Sequence, residues 1–564
     1  VSFLKKYHLL LLIVAIGAIL RLWGINFGLP YQFHQDEPIV VNHALAYGAG
    51  DFNPHFFAIP PLTSYLLFFI YGIFFVLGYL FNIFANSDMF ALEFFKDPSI
   101  FYILGRFFIG FLPGILSVIF SFVLYRKLFD SIKGALFTAA IMSFVFLNVV
   151  HSHYIYTDML LVLTIIFTII KISDMLKNSS FKNYILSGTL IGIAIGIKYN
   201  AALLIVPYML THLIVCKGKL LNKNLFIGIF AAIGTFIIVN PFSVLDFRFF
   251  VFSIIGQAGA SGYIGWRHHI AYSLYQGAGI FIVMCGFLGM IALCVKNMSK
   301  AILVLSFPLA FYIHLVFLSQ HFPRYVLPLI PFFAICSGYL IFEYIFPKLK
   351  NKTAKILIIG LCFSILTLSI VKSVTADLMF SIKDTRIIAA EWIQSNINPD
   401  SKIAVDHTFF RPVILQNKQQ LIEKANVLNK QIGLTDIKQK KLQLALQARK
   451  SAPAYNIYFL TEEPEMQGQF LATVPALPFG YEYLKDEGIE YIIINYANRL
   501  SDAPDFYDTL KDEAILIKDF SPYHDNEIRF SYDRIATTCL PVLSEEIYSR
   551  NRSGPAIEIY RLKR

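Results

Sequence analysis

Phe33-His34-Gln35-Asp36-Glu37-Pro38 sets two adjacent carboxylates just after the first long apolar run, 7–28, of a chain that is mostly apolar. Acids at a membrane boundary are costly to desolvate and are kept for pairing or for chemistry. The reading of this stretch therefore separates a passive helical bundle from one that carries reacting groups at its surface. The surrounding composition supplies the bundle. Over 564 residues, 56% hydrophobic content with 15% charge and a mean hydropathy of +0.60 is too apolar for a soluble globule, so the chain is a polytopic α-helical membrane protein. Its many Phe and Tyr suit lipid-facing surfaces and interfacial belts. A net charge of +11 does not point to nucleic acid, because much of the Lys lies in short runs between apolar segments.

Five cysteines, Cys216, Cys285, Cys294, Cys336 and Cys362, fall in or beside apolar segments, and Cys539 lies in the polar tail. Their spacing gives neither a disulfide framework nor a metal motif. The start, Val1 to Lys6 before a long apolar run with Arg21 near its far end and no small-residue cleavage site, reads as a retained signal-anchor helix.

Spanning segments of the required length are expected at 7–28, 100–125, 134–150, 157–173, 183–197, 200–216, 224–240, 273–295, 301–318, 325–346 and 354–372, about eleven in all. One further apolar run, 60–84, decides the orientation. If it does not cross, then Arg126, Lys127 and Lys133, Lys171, Lys177 and Lys182, Lys217, Lys219 and Lys223, Lys296 and Lys300, and Lys348 to Lys355 all share the side of Lys5 and Lys6, which the positive-inside rule makes cytoplasmic. We therefore expect 60–84 to be interfacial or re-entrant. The loop 29–99 and everything after about 373 then face outward from the plasma membrane.

The expected domains are 1–373, a membrane part, and 374–564, where charge rises. In the latter, short β-rich runs at Ile403–Asp406, Tyr455–Leu460, Tyr491–Asn495, Ile515–Lys518 and Ala556–Arg561 alternate with helical stretches at Asp384–Asn396 and Leu434–Lys450. That alternation predicts a small extracytoplasmic α/β domain. It contains no nucleotide-binding glycine loop.

Pro38 suits the first turn of a helix, which would make Glu37 its N-cap, and an acidic cap is an ordinary feature. The context adds more. His34 and His43 flank the pair, Gly50-Asp51-Phe52-Asn53-Pro54-His55-Phe56-Phe57 follows, and Pro60-Pro61-Leu62 opens the next apolar run. This order resembles the first outer loop of GT-C integral-membrane glycosyltransferases, and within them the glycosyltransferase family 39 group of protein O-mannosyltransferases and aminoarabinose transferases. His151-Ser152-His153 through Asp158, Gly196-Ile197-Lys198-Tyr199-Asn200, Arg324-Tyr325-Val326-Leu327-Pro328-Leu329-Ile330-Pro331, Asp384-Thr385-Arg386 and Trp392-Ile393 extend the resemblance over roughly 1–400.

The resemblance implies a GT-C fold and transfer of a sugar from a polyprenyl-phosphate donor to a protein, glycolipid or cell-envelope polymer acceptor at the outer face, with inversion. It makes Asp36 the catalytic carboxylate, with Glu37 and Asp158 as further acids. The chemistry asks for such groups: an acceptor hydroxyl needs a base, and a departing phosphate needs cationic donors. Arg324 and Arg267 rank above Lys198 for the phosphate because a guanidinium forks two hydrogen bonds, while each could equally be an interfacial cation reaching for headgroups. His55, His268 and Tyr325 are further substrate-binding candidates. His151 and His153 with Asp158 suit a divalent metal, and suit polar lining of a helix mouth as well. A transporter or lipid flippase is the competing class, but it would show repeated halves and helices broken near the midplane, whereas here the polar residues gather at one face.

Overall fold

The computed structural model describes residues 2–219, 222–257, 265–318, 320–406, 413–430, 436–449, 453–460, 475–496, 504–529 and 546–563. Cys539 lies outside them. Close contacts group the chain into two compact units: Val1–Ile25, Asp36–Tyr71 and Ile103–Asp377 form the first, and Asn26–Gln35, Gly72–Tyr102 and Leu378–Arg564 the second. The division thus falls at 377/378, and Asn26–Gln35 and Gly72–Tyr102 group with the C-terminal unit.

Among the described residues six helices are long and apolar enough to cross a bilayer: Leu62–Leu80, Ser99–Phe129, Thr157–Lys177, Met298–Val316, Pro323–Lys348 and Lys352–Asn396. A further pair, His269–Ala278 and Ile280–Lys296, bends by 114° at Gly279, whose φ of 88° only glycine adopts without strain. Shorter apolar helices, Tyr7–Leu22, Ile132–Phe144, Phe181–Ile197, Tyr199–Val215 and Lys223–Val239, account for the remaining expected spans. Every one of the eleven expected segments is an apolar helix, but several are shorter or more broken than a single crossing. Leu62–Leu80 is one unbroken helix of 19 residues that meets the length and apolarity of a span, so the interfacial placement expected for 60–84 rests on the lysines alone and draws no support from the helix itself.

Small residues set the closest packing. A Cβ on Gly188 would lie 2.0 Å from the carbonyl oxygen of Gly228, and one on Gly192 would lie 2.4 Å from that of Ala232, so Phe181–Ile197 and Lys223–Val239 meet backbone to backbone. Arg21, fully buried, joins the first helix to its neighbours: it donates to the carbonyls of Gly17, Ser143 and Met142 and to Ser152 Oγ.

The C-terminal sheet has seven described strands: β1 Lys402–Asp406, β2 Gln416–Asn417, β3 Ala454–Leu460, β4 Ala476–Leu477, β5 Tyr491–Asn495, β6 Ile515–Phe520 and β7 Ile557–Arg561. Their order is β2-β3-β1-β5-β7-β6, with β4 on β3. β1 pairs parallel with both β3 and β5, while β7 runs antiparallel to β5 and β6. Near-continuous burial along β1 and β5 follows from helices covering both faces. One of these, Thr385–Asn396, is capped by Asp384, which accepts the Arg386 N–H at 2.9 Å and that residue's guanidinium at 2.8 Å. All five expected β-rich runs are strands. The spatial order could not be read from them, because it depends on pairings far apart in sequence.

Candidate functional site

The acidic pair splits. Glu37 is the first residue of the helix Glu37–Ala46 and Asp36 is its cap, with no side-chain capping bond, so the cap sits one residue earlier than expected. Along a helix, consecutive residues point about 100° apart, and here that sends the two carboxylates to different partners. Glu37 is fully buried and takes Arg106 in a two-pronged pair, Nε to Oε1 at 2.9 Å and Nη2 to Oε2 at 2.8 Å. It also accepts the Ile155 N–H at 3.1 Å, while Arg106 reaches the carbonyl of Ile25 at 2.8 Å. Arg106 stands where the helix Ser99–Phe129 widens into a π-helical turn, Arg106–Phe111, a local device that redirects side chains inward. Glu37 therefore leaves the set of catalytic candidates: its charge, lone pairs and surface are all used in joining three segments.

Asp36 faces Arg324 instead, at 3.1 Å, with 16% of its side chain exposed and 7% of the arginine's. Burial pushes the Asp36 carboxyl above its ordinary value, Arg324 pulls it back, and nearby Asp158 adds to the rise. Arg324 lies in the tight helical turn Pro323–Leu329. Beside this pair is a second one: Lys198, at the C-terminal end of Phe181–Ile197, donates to Asp158 at 2.8 Å, and Asp158 opens the helix Thr157–Lys177. His151 Nδ1 stands 3.9 Å from the other Asp158 oxygen.

Two aromatic rings tie the pairs together. The Arg324 guanidinium lies 5.3 Å from the Tyr156 ring and 5.8 Å from that of Tyr325, and the Lys198 ammonium lies 5.9 Å and 5.3 Å from the same rings. Tyr325 thus joins the site as expected, through its face. Tyr156 was not marked by the sequence reading. The signal available was an aromatic two residues before an acid at the mouth of an apolar helix. Burial pushes its phenol well up, so it holds its proton and acts through its ring and hydroxyl.

Other candidates lie apart. His55, at φ 46°, is held in a turn: its ring pairs with Asp51 at 2.9 Å, its N–H goes to Asn53, and Asn53 in turn donates to Asp246. That pairing lowers the Asp51 carboxyl and makes His55 a turn residue. Arg267 is exposed on the short helix Trp266–His268 and has no ion pair among the described residues. His268 packs with His269 and His321, ring centres 5.5 Å and 5.7 Å away, beside the segment leading to Arg324.

The structure separates the two histidines of the His-x-His motif. His153 sets its two ring nitrogens 3.0 Å from the carbonyls of Val149 and Trp23, to one of which the neutral ring donates, and it stands near Asp377. Burial holds it down to about 4, neutral under ordinary conditions. His151 and Asp158 remain without a third ligand, and among the described residues no group of three His, Cys, Asp or Glu side chains is placed to hold a metal ion.

Residues 100–244 match the family model described as dolichyl-phosphate-mannose-protein mannosyltransferase. This segment carries Asp158, Lys198, Tyr156 and Arg106. No curated protein sequence matches the chain. The fold is similar to that of ArnT from Cupriavidus metallidurans in the apo state, with a TM-score of 0.50 at 12% identity, covering 91% of this chain and 96% of that one. The Archaeoglobus fulgidus oligosaccharyltransferase in the apo form is also similar, with a TM-score of 0.46 at 11% identity over 88% of this chain and 70% of that one. Through the matched segment and the fold shared with ArnT, the chain resembles GT-C glycosyltransferases of the family 39 kind.

Proposed function

We propose that this protein transfers a sugar from a polyprenyl-phosphate donor to an acceptor hydroxyl at the outer face of the plasma membrane, with inversion at the anomeric carbon. The observation that carries it is the Asp36–Arg324 pair: a partly buried carboxylate with a raised proton affinity, placed against a guanidinium, with a second cation, Lys198, across the same two rings. The matched family segment and the GT-C fold support it.

In the proposed reaction Asp36 takes the acceptor's hydroxyl proton as the acceptor oxygen bonds to the anomeric carbon. The bond from that carbon to the phosphate oxygen breaks, and the electron pair leaves with the polyprenyl phosphate. Arg324 and Lys198 hold the charge that grows on the leaving oxygen, in a setting where water is largely excluded. One displacement gives one inversion. Glu37, held by Arg106, takes no part.

Purified protein supplied with radiolabelled polyprenyl-phosphate mannose, and in parallel with the arabinose donor, should release unglycosylated polyprenyl phosphate and label an envelope extract. Donors that stay intact while labelled lipid instead changes leaflet in proteoliposomes would replace the enzyme with a flippase.

A further inference from the structure

The site as it stands is closed to its own chemistry. Arg324 is occupied by Asp36 at 3.1 Å and Lys198 by Asp158 at 2.8 Å, so each cation that would receive a phosphate already holds a carboxylate. The pairs differ in their fastening. Asp158 is 2% exposed and has His151 behind its second oxygen, which anchors Lys198 from a fixed base at a helix start. Asp36 is 16% exposed and lies outside the regular helix, just ahead of its first residue. Of the two acids, it is the one that can be replaced at its cation.

The donor's phosphate, a diester whose single negative charge is shared by two free oxygens, can engage both prongs of the guanidinium fork, and it becomes a monoester of higher charge as the sugar departs. We infer that the donor's phosphate displaces Asp36 from Arg324, so that donor binding is the event that releases the base. The inference rests on the proposed transfer reaction and adds an order of events to it. Tyr156 and Tyr325 serve as positioning residues: their rings lie against both cations and keep them together while the anion between them changes.

The exchange also sets the proton cycle. Paired with Arg324, Asp36 is a weak base, because protonation would abandon the ion pair. Once the phosphate holds Arg324, the influence that pulls Asp36 down is lost and its proton affinity rises, which is the state needed to accept the acceptor's proton. When polyprenyl phosphate leaves, Arg324 again faces Asp36, the proton passes to water, and the starting pair reforms.

Competition for one guanidinium makes a counterintuitive prediction for binding. Farnesyl phosphate, a short water-dispersible polyprenyl monophosphate, should bind Asp36→Asn full-length protein roughly tenfold or more tightly than wild type, the scale of one charge-assisted contact. The gain should vanish when Arg324 is also Lys or Ala, which a double-mutant cycle measures directly, and thermal unfolding identifies any variant that has lost its fold. In the wild type the acidic limb of kcat should lie at higher pH than that of kcat/KM, because the first reports the donor complex and the second the free enzyme. Unchanged or weaker farnesyl phosphate binding by folded Asp36→Asn, with transfer lost, would overturn the exchange and leave the base assignment standing. Transfer retained by Asp36→Asn would instead remove the base, and the exchange with it.

Discussion

Asp36 and Glu37 are neighbours in sequence, both face an arginine, and they do opposite work. The Glu37–Arg106 region is sealed: no exposed surface, two parallel hydrogen bonds, and further bonds to a backbone N–H and a carbonyl. The Asp36–Arg324 region keeps some exposure and has a second ion pair beside it. Burial alone therefore does not mark a reactive acid. What separates the two is access: a fully buried, two-pronged pair is closed to a substrate, whereas a partly exposed one can be reached.

The sharpest way to break this comparison is to neutralise each acid without changing its shape. Asp36→Asn should lower transfer by roughly 10²–10⁴-fold, the usual worth of general-base catalysis, while the unfolding temperature stays near that of wild type. Glu37→Gln should do the reverse. It leaves Arg106 charged inside the protein with no counter-charge, a change that costs about 3–5 kcal/mol, so folded yield and unfolding temperature should fall sharply. Any Glu37→Gln protein that does fold should keep its intrinsic rate. If the two variants exchanged these phenotypes, the roles given to the two acids would have to be exchanged as well.

A smaller effect tests the cation. Arg324→Lys keeps the charge and loses the planar fork, so transfer should fall by roughly tenfold, with Arg324→Ala lower still. Arg106→Lys, judged by unfolding temperature, supplies the contrast: it should lose the two-pronged pair and cost stability, with little direct effect on rate.

How much of this was legible in the sequence follows from distance along the chain. The acids announced themselves because an Asp-Glu-Pro directly after an apolar run is a local pattern, and the strands announced themselves through short β-rich runs. Glu37's partner lay 69 positions away inside an apolar helix. A signal existed: Arg106 falls within the expected span 100–125, and an arginine there needs an internal counter-charge. That signal says an acid is required and not which one. His153 went astray for a related reason. The His-x-His spacing is local, but the imidazole lies between carbonyls of two separate segments.

The last prediction extends the comparison to a carboxylate that no cation pairs with among the described residues. Asp406 ends β1 with no exposed surface, and burial pushes it up to about 8 from an ordinary 3.8, with the backbone of Asn495 pulling slightly the other way. Its folded state holds the proton more tightly than its unfolded state does. The stability this contributes is therefore fully present below the ordinary carboxylate value and is lost as pH rises through the folded one. Unfolding of the C-terminal unit, followed by hydrogen exchange at the β1 and β5 amides of the full-length protein, should become easier as pH climbs from about 4 to about 8. Asp406→Asn keeps the side-chain shape and removes the titration, so it should flatten that slope while leaving sugar transfer as it was. A slope that survives the substitution would place its source in another group, and a slope of opposite sign would mean that Asp406 is charged and paired in the folded protein, as Glu37 is.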